Sequence, residues 1–272
     1  MTRKWTHVPG SAGSVGDMPF PNFEGKHTHD AFITPQDFLA WARRAGLETE
    51  TELPPDALLI YQSSALKHLT ETYGARAVSS LAGDVHVIDE PRPVVVARAN
   101  GIGAPVAAVT LEELTACGVR RVINVGTAGT LSQHLAIGDI VVCTGAVRDE
   151  GTSYHYLSHD EPAAPSGALT EALAEAIIRQ GRSVHRGRTW TIDAPYRETV
   201  EEARHYQTEG VATVDMEASA VFAVARVRGI EAAAAFSISD SLAELVWSPH
   251  FDSAETRAGL VAVLDAAIEA FA

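Results

Sequence analysis

Two acidic stations in the second half of this 272-residue chain carry residue types suited to chemistry on a small polar ligand. Asp215-Met216-Glu217 stands at a predicted strand-to-helix junction, and Ser239-Asp240 follows a later apolar strand that begins at Ala232. Upstream, Asn124-Val125-Gly126-Thr127-Ala128-Gly129-Thr130 ends another predicted strand, and Gly138-Asp139 opens the next. Three strand ends therefore offer polar or flexible groups to one cleft, at the end of the sheet where open α/β folds bind ligands. Such a cleft suits a sugar.

Glu217 has apolar flanks, so its carboxylate is read as partly buried and able to accept hydrogen bonds from two vicinal hydroxyls. Met216 beside it offers a soft apolar face to a sugar ring. The plainer reading is a carboxylate held at a helix start by the helix dipole. Asp240 ends a strand of small residues; buried and protonated, it would donate to a ring nitrogen of a departing base. Its plainer reading is a turn or helix-capping aspartate. Gly126-Thr127-Ala128-Gly129 reads either as a ligand-approaching loop, with Thr127 adding a hydroxyl and an amide, or as a tight turn. It fits neither G-x-G-x-x-G nor G-x-x-x-x-G-K-[ST], so dinucleotide and nucleoside triphosphate readings lack support.

The elements that must position these residues follow from periodicity and punctuation. Thr34-Pro35 predicts a helix start, with a helix to about 45. Ala57–Tyr61 is a strand buried on both faces, followed by a helix at 64–73, strands at 85–89 and 94–99, and a helix at 105–117 ended by Gly118. Strands at 121–125 and 139–147 flank the glycine segment. A helix at 168–180, a strand at 184–192, a helix at 197–208, a strand at 211–214, a helix at 218–227, a strand at 232–239 and a helix at 253–271 complete the pattern. Alternation of this kind predicts an α/β fold with a mostly parallel or mixed sheet covered on both faces. Residues 1–34, rich in Gly, Pro and His, read as an extended N-terminal arm, and 35–272 as one α/β domain.

The formal charge of −14 argues against a nucleic-acid partner, which needs clustered Lys and Arg. No apolar run approaches the length of a membrane span, and the start of the chain has no signal-peptide core. Cys117 and Cys143 each sit in apolar stretches and read as buried reduced thiols, which predicts a cytoplasmic setting. His27-Thr28-His29 lacks further ligands at recognisable spacing, so no metal is expected.

Taken in order, Asn100-Gly101-Ile102-Gly103-Ala104-Pro105, Val125-Gly126-Thr127-Ala128-Gly129 with Ile137-Gly138-Asp139-Ile140-Val141, and Val214-Asp215-Met216-Glu217-Ala218 followed by Ile238-Ser239-Asp240 resemble the nucleoside phosphorylase and nucleosidase superfamily. The resemblance spans about residues 57 to 270. Arg148 to His155 is most similar to the uridine phosphorylase branch, and Ser239-Asp240 to the purine branch. It implies a three-layer α/β/α single domain with a mixed, partly barrel-like central sheet. It implies that Glu217 and Met216 bind ribose, that Asp240 protonates the base, and that Thr127, Gly126 and Gly103 face phosphate or water. Thr189 to Tyr196 resembles the family's base-flanking strand, which implies Trp190 and Tyr196 as base walls, although Pro195 stands where relatives place a stacking aromatic.

Two departures bear on the nucleophile. The family's Gly-Asp-x-x-Arg loop corresponds here to Ile60-Tyr61-Gln62-Ser63-Ser64-Ala65, and a second phosphate arginine is replaced by Asn124. Hydrolytic relatives carry a water-activating Glu near the first loop, a role Gln62 cannot take. Lys67, Arg148 or a partner subunit are the remaining candidates for phosphate, and Arg257 for assisting Asp240. The leading expectation is a pentosyltransferase, a nucleoside phosphorylase-like enzyme acting on a purine-type or modified nucleoside. It would need no cofactor, take inorganic phosphate as co-substrate, and form a homo-oligomer: a dimer, trimer or hexamer. The alternatives are a phosphate-independent N-glycosidase and a non-catalytic nucleoside-binding sensor or storage protein.

Overall fold

Cap and turn residues of the sequence become element boundaries in the computed structural model, which describes residues 20–272 except 22, 24 and 48. Residues 1–19 of the expected arm lie outside the described residues. The elements run α1 (Pro35–Arg44), β1 (Asp56–Ile60), α2 (Ser63–Tyr73), β2 (Arg76–Val78), β3 (Asp84–Ile88), β4 (Val94–Arg98), α3 (Ala104–Ala116) and β5 (Arg121–Thr130). They continue with β6 (Ile140–Asp149), α4 (Gly167–Arg179), β7 (Val184–Ile192), α5 (Val200–Thr208), β8 (Thr213–Asp215), α6 (Ala218–Arg228), β9 (Glu231–Ser241), β10 (Ser248–Pro249) and α7 (Ala254–Ala270).

Thr34 caps α1 reciprocally with Asp37, as its position before Pro35 predicts. The same device sets the start of α5: Thr199 and Glu202 form a capping box, so the helix begins at Val200 and not at 197. Residues 195–197 form a separate 3₁₀ turn. The short strands β2 and β10 are additions to the sequence reading; three and two residues give too little periodicity to detect.

The sheet order is β10-β9-β6-β7-β8-β5-β1-β4-β3-β2, and a further pairing of β9 with β5 closes β5, β9, β6, β7 and β8 into a five-stranded barrel. Parallel pairs (β1 with β4 and β5, β5 with β9, β6 with β7) mix with antiparallel ones (β5 with β8, β6 with β9). Alternate residues of β1 enter two cores: Ala57 and Leu59 pack with Leu111 of α3 and Phe222 of α6, while Leu58 and Ile60 pack with Leu69 of α2, Leu173 of α4 and Leu264 of α7. Burial on both faces explains the near-continuous apolar run of this strand. The expected three-layer α/β/α arrangement with a mixed, partly barrel-like sheet is the observed one.

One feature of this topology makes the site. Arg121 to Val125 of β5 pair with β1 on one side, whereas Gly129 and Thr130 pair with β8 on that side; β9 accompanies β5 throughout. Between Val125 and Gly129 the strand exchanges neighbours, and the ends of β1 and β8 part there. A switch point of this kind is where a sheet opens to ligand. The segment Gly126–Gly129 is therefore strand, which corrects the reading of it as a loop. Glycine serves here for close approach of other groups, as within strands generally: a Cβ on Gly126 would stand 3.6 Å from the Tyr61 ring.

Candidate active site

The first group of side chains is set by α6 and by the turn before α3. Asp215 takes over the start of α6, accepting from the backbone N–H of Glu217 (3.0 Å) and Ala218 (2.7 Å). It also accepts from the hydroxyls of Thr189 (3.1 Å) and Thr191 (2.8 Å). Glu217 is thereby released from capping: its side chain makes no cap bond, and its Oε1 accepts from the Gly103 N–H at 2.6 Å. Gly103 sits at φ +99°, a left-handed conformation that glycine adopts without strain, and a Cβ there would lie 3.9 Å from the Met216 methyl carbon. Glu217, Met216 and Gly103 thus meet at one place. Burial, with the nearby Asp215 carboxyl adding to it, pushes the Glu217 carboxyl up to about 8.

At the switch point the groups are polar and uncharged. The Tyr61 hydroxyl donates to Asn124 Oδ1 at 2.7 Å, and Gln62 Nε2 donates to the Thr127 hydroxyl at 3.2 Å. Asn124 Nδ2 and Gln62 Oε1 are both buried with no protein partner. Buried polar atoms left over in this way call for a water or a ligand. Burial raises the Tyr61 hydroxyl well above its ordinary value, with Glu217 and then Asp215 reinforcing the shift, so Tyr61 links this cluster electrostatically to those two carboxyls.

The third group hangs from β9. Ala128 pairs with Ile238 and Gly129 with Asp240, so Ser239 is the extra residue of a bulge, a feature that re-aims the side chains beside it. Asp240 lies inside β9, not after it, and is 8 % exposed. Its Oδ1 accepts from the Ser239 hydroxyl (2.8 Å) and its Oδ2 from the Trp247 indole N–H (3.0 Å). Gly129 makes room for it: a Cβ there would meet Asp240 Oδ2 at 3.0 Å, Leu242 Cδ1 at 2.9 Å and Val214 Cγ1 at 3.0 Å. Gly129→Ala is expected to destabilise the chain by about 1–3 kcal/mol through overpacking, as urea denaturation would show, and to displace Asp240.

Val214 of β8 and Asp240 of β9 thus flank the same residue of β5, which puts the backbones of these two residues about 10 Å apart across one strand. Glu198, just before α5, lies close enough to Asp240 to feel its charge. Burial first, then Asp240 and Glu202, push the half-buried Glu198 carboxyl up to about 7.

Two expected base walls do not form one. Trp190 is completely buried, packs against the tilted ring of Tyr206 at 4.7 Å between centroids and gives its N–H to Asp149 at 2.8 Å; it belongs to a core. Residues 189–192 of β7 are buried on both faces, and Trp190 packs with Leu131, Val211 and Val214. Tyr196 is fully exposed on the 3₁₀ turn. The remaining cation candidates are likewise engaged elsewhere. Arg148 gives its donors to the Ser153 hydroxyl and to the carbonyls of Leu157, Ser158 and Glu161, knitting its own loop together. Lys67 is exposed beside Glu71, Arg257 bonds the Asp252 carbonyl in place of Asp240, and His27 and His29 are exposed. Tyr61, Glu198 and Trp247 escaped the sequence reading. Tyr61 enters it only as part of the first strand and the stretch that follows, and Glu198 falls inside the helix expected from 197.

Comparison with known proteins bears on this geometry. Residues 64–269 match the model of the phosphorylase superfamily, which is more than half of the chain. The chain belongs to the phosphorylase superfamily. A guanosine phosphorylase of Halorubrum lacusprofundi is 39% identical over 144 residues, covering 53% of this chain and 59% of that protein. A uridine phosphorylase of Klebsiella aerogenes is 39% identical over 105 residues, covering 39% of this chain and 41% of that one. The matched stretches thus span less than two thirds of these relatives' own lengths. Among solved structures, a uridine phosphorylase from Vibrio fischeri ES114 superposes with TM-score 0.70 at 26% identity, covering 82% of this chain and 92% of that one. A purine nucleoside phosphorylase from Toxoplasma gondii, solved with immucillin-H, gives TM-score 0.74 at 20% identity, covering 81% and 91%, a likeness of fold. Among the described residues of this superfamily member, no helix is long and apolar enough to cross a membrane.

Proposed function

We propose that this chain cleaves the N-glycosidic bond of a purine-type nucleoside and transfers the sugar to inorganic phosphate. The observation that carries the reading is the placement of Glu217 and Asp240 on either side of the β5 switch point, within a chain of the phosphorylase superfamily. Ribose hydroxyls donate to the Glu217 carboxylate while Met216 covers the ring. As the bond from the anomeric carbon to the base nitrogen breaks, its electron pair moves onto the base. Asp240 in its protonated form donates to the purine N7, relieving that charge, and phosphate oxygen bonds to the anomeric carbon.

A 6-oxopurine is favoured by Glu198. Its carboxylate has no hydrogen-bonding partner among the described residues and lies near Asp240. The N1–H and, in guanine, the N2 amino group are donors that a carboxylate accepts, whereas N7 is an acceptor that needs a proton. Glu198→Gln is expected to lower kcat/KM for guanosine and inosine by about 10- to 100-fold and to leave adenosine turnover nearly unchanged.

A second reading has its own support. Asn124, Gln62 and Thr127 are neutral, and a water can both accept from Asn124 Nδ2 and donate to Gln62 Oε1. Product analysis separates the two. Incubation of guanosine or inosine with and without phosphate is expected to give ribose 1-phosphate only when phosphate is present. Free ribose formed at the same rate in phosphate-free buffer would replace phosphorolysis with hydrolysis.

A further inference from the structure

The carboxyl of Asp240 is held by two donors, one on each oxygen, and these come from different places in the fold. Ser239 precedes it on β9, while Trp247 reaches it from the segment that follows that strand. This segment is built back onto the strand end. Ser248 and Pro249 of β10 pair antiparallel with Ser241 and Asp240, the His250 N–H donates to the Ser239 carbonyl at 2.8 Å, and Gln207 Nε2 holds the Ala243 carbonyl at 3.0 Å. Leu245 completes the fold-back at φ 57°, a left-handed conformation uncommon for a residue with a branched side chain. A strained turn of this sort is kept where the surroundings over-determine it, and here they deliver an indole N–H to the acid.

The ring that carries this N–H is nevertheless 60% exposed. Val246 beside it is 71% exposed, and Phe251, with its ring centroid 6.3 Å away, is 53% exposed. The outcome is an uncovered aromatic surface bonded directly to the buried acid Asp240. Of the other aromatic side chains near the site, Trp190 lies in a core, Tyr61 is turned to Asn124, and the fully exposed Tyr196 makes no bond to Asp240. Resting on the nucleoside-cleaving reading above, we propose that Trp247 is a base-side residue whose N–H positions Asp240 and whose exposed ring supplies the aromatic wall against the purine. Every purine presents a π face, so the wall contributes affinity without choosing among bases, while Glu198 chooses.

The two roles separate by substitution. Trp247→Phe keeps a ring and removes the N–H; its kcat is expected to fall about five- to tenfold with KM within about twofold of the parent. Trp247→Ala removes both and is expected to raise KM for guanosine by a further tenfold or so. In an Asp240→Asn background the kcat effect of Trp247→Phe is expected to disappear, because it acts through that carboxyl; a purely structural role would leave it intact. Titration with hypoxanthine is expected to shift tryptophan emission in the parent but not in Trp247→Phe, where the other three tryptophans remain. Parental kcat and KM in Trp247→Ala, or the same emission shift in Trp247→Phe as in the parent, would overturn the proposal. Failure of the parent to cleave any nucleoside strikes at the proposed activity instead, and the hypoxanthine titration still decides Trp247.

Discussion

Replacing Asp240 with asparagine is expected to lower kcat by about 10²- to 10⁴-fold while KM for guanosine changes little. The substitution is nearly isosteric, and the surrounding donors tolerate it. The new amide oxygen can accept from the Trp247 N–H, and the new amide N–H can donate to the Ser239 hydroxyl oxygen, so both contacts of the parent survive. What the variant loses is a proton to give. The leaving purine then departs with its charge unrelieved, and the loss falls on the transition state rather than on the bound substrate. Steady-state kinetics read the split between kcat and KM directly. A nucleoside methylated at N7 provides the control, since its base already carries positive charge and leaves without protonation. Its turnover is expected to survive in the variant. Equal losses on both substrates would remove Asp240 from the role of acid.

The second large effect concerns Glu217. Burial and Asp215 hold its carboxyl at about 8 against an ordinary 4.5, so between these values the folded chain keeps a proton that the unfolded chain has lost. The sign follows: the stability that this group contributes is fully present below about 4.5 and declines as pH rises through about 8. The decline is on the order of 4 kcal/mol. Urea denaturation at pH 5 and pH 8 is expected to show it, and Glu217→Gln to show a shallower fall. Glu113 and Glu198, both raised to about 7 with burial as the first cause, contribute in the same sense, so the slope is reduced and not abolished.

Ligand binding runs the other way. Ribose hydroxyls are donors and favour the ionised carboxylate, so nucleoside affinity is expected to rise with pH until Glu217 ionises in the free enzyme, near 8. Calorimetry at pH 7 is expected to find proton release on binding in the parent and none attributable to this site in Glu217→Gln. That variant is also expected to bind guanosine more weakly by about 1–3 kcal/mol. Equal affinity and equal proton release in the two proteins would separate Glu217 from the sugar.

Much of this protein could be read from one-dimensional features. Thr34-Pro35 and Gly118 mark helix ends because backbone conformation and capping are local, and both act where expected. The apolar run of β1 announces burial on both faces because side-chain alternation is also local. Glu217 and Asp240 stood out because acids embedded among small apolar residues are costly to bury without a use.

Other features depended on distant partners. Whether Gly126–Gly129 forms a loop or a strand turned on β9, more than 100 residues later, offering a partner along its whole length. The exposure of Trp190 and Trp247 was likewise beyond composition, since both are tryptophans in plausible positions. Barrel closure buried the first, and the fold-back of β10 onto β9 brought the second to Asp240. The sequence by itself therefore determined most of the longer elements, several of their ends and the two acids, all products of interactions within a few residues. Only the tertiary structure decided which groups face those acids, because neighbours across a sheet are chosen by strand pairing, and strand pairing is not written at any single position.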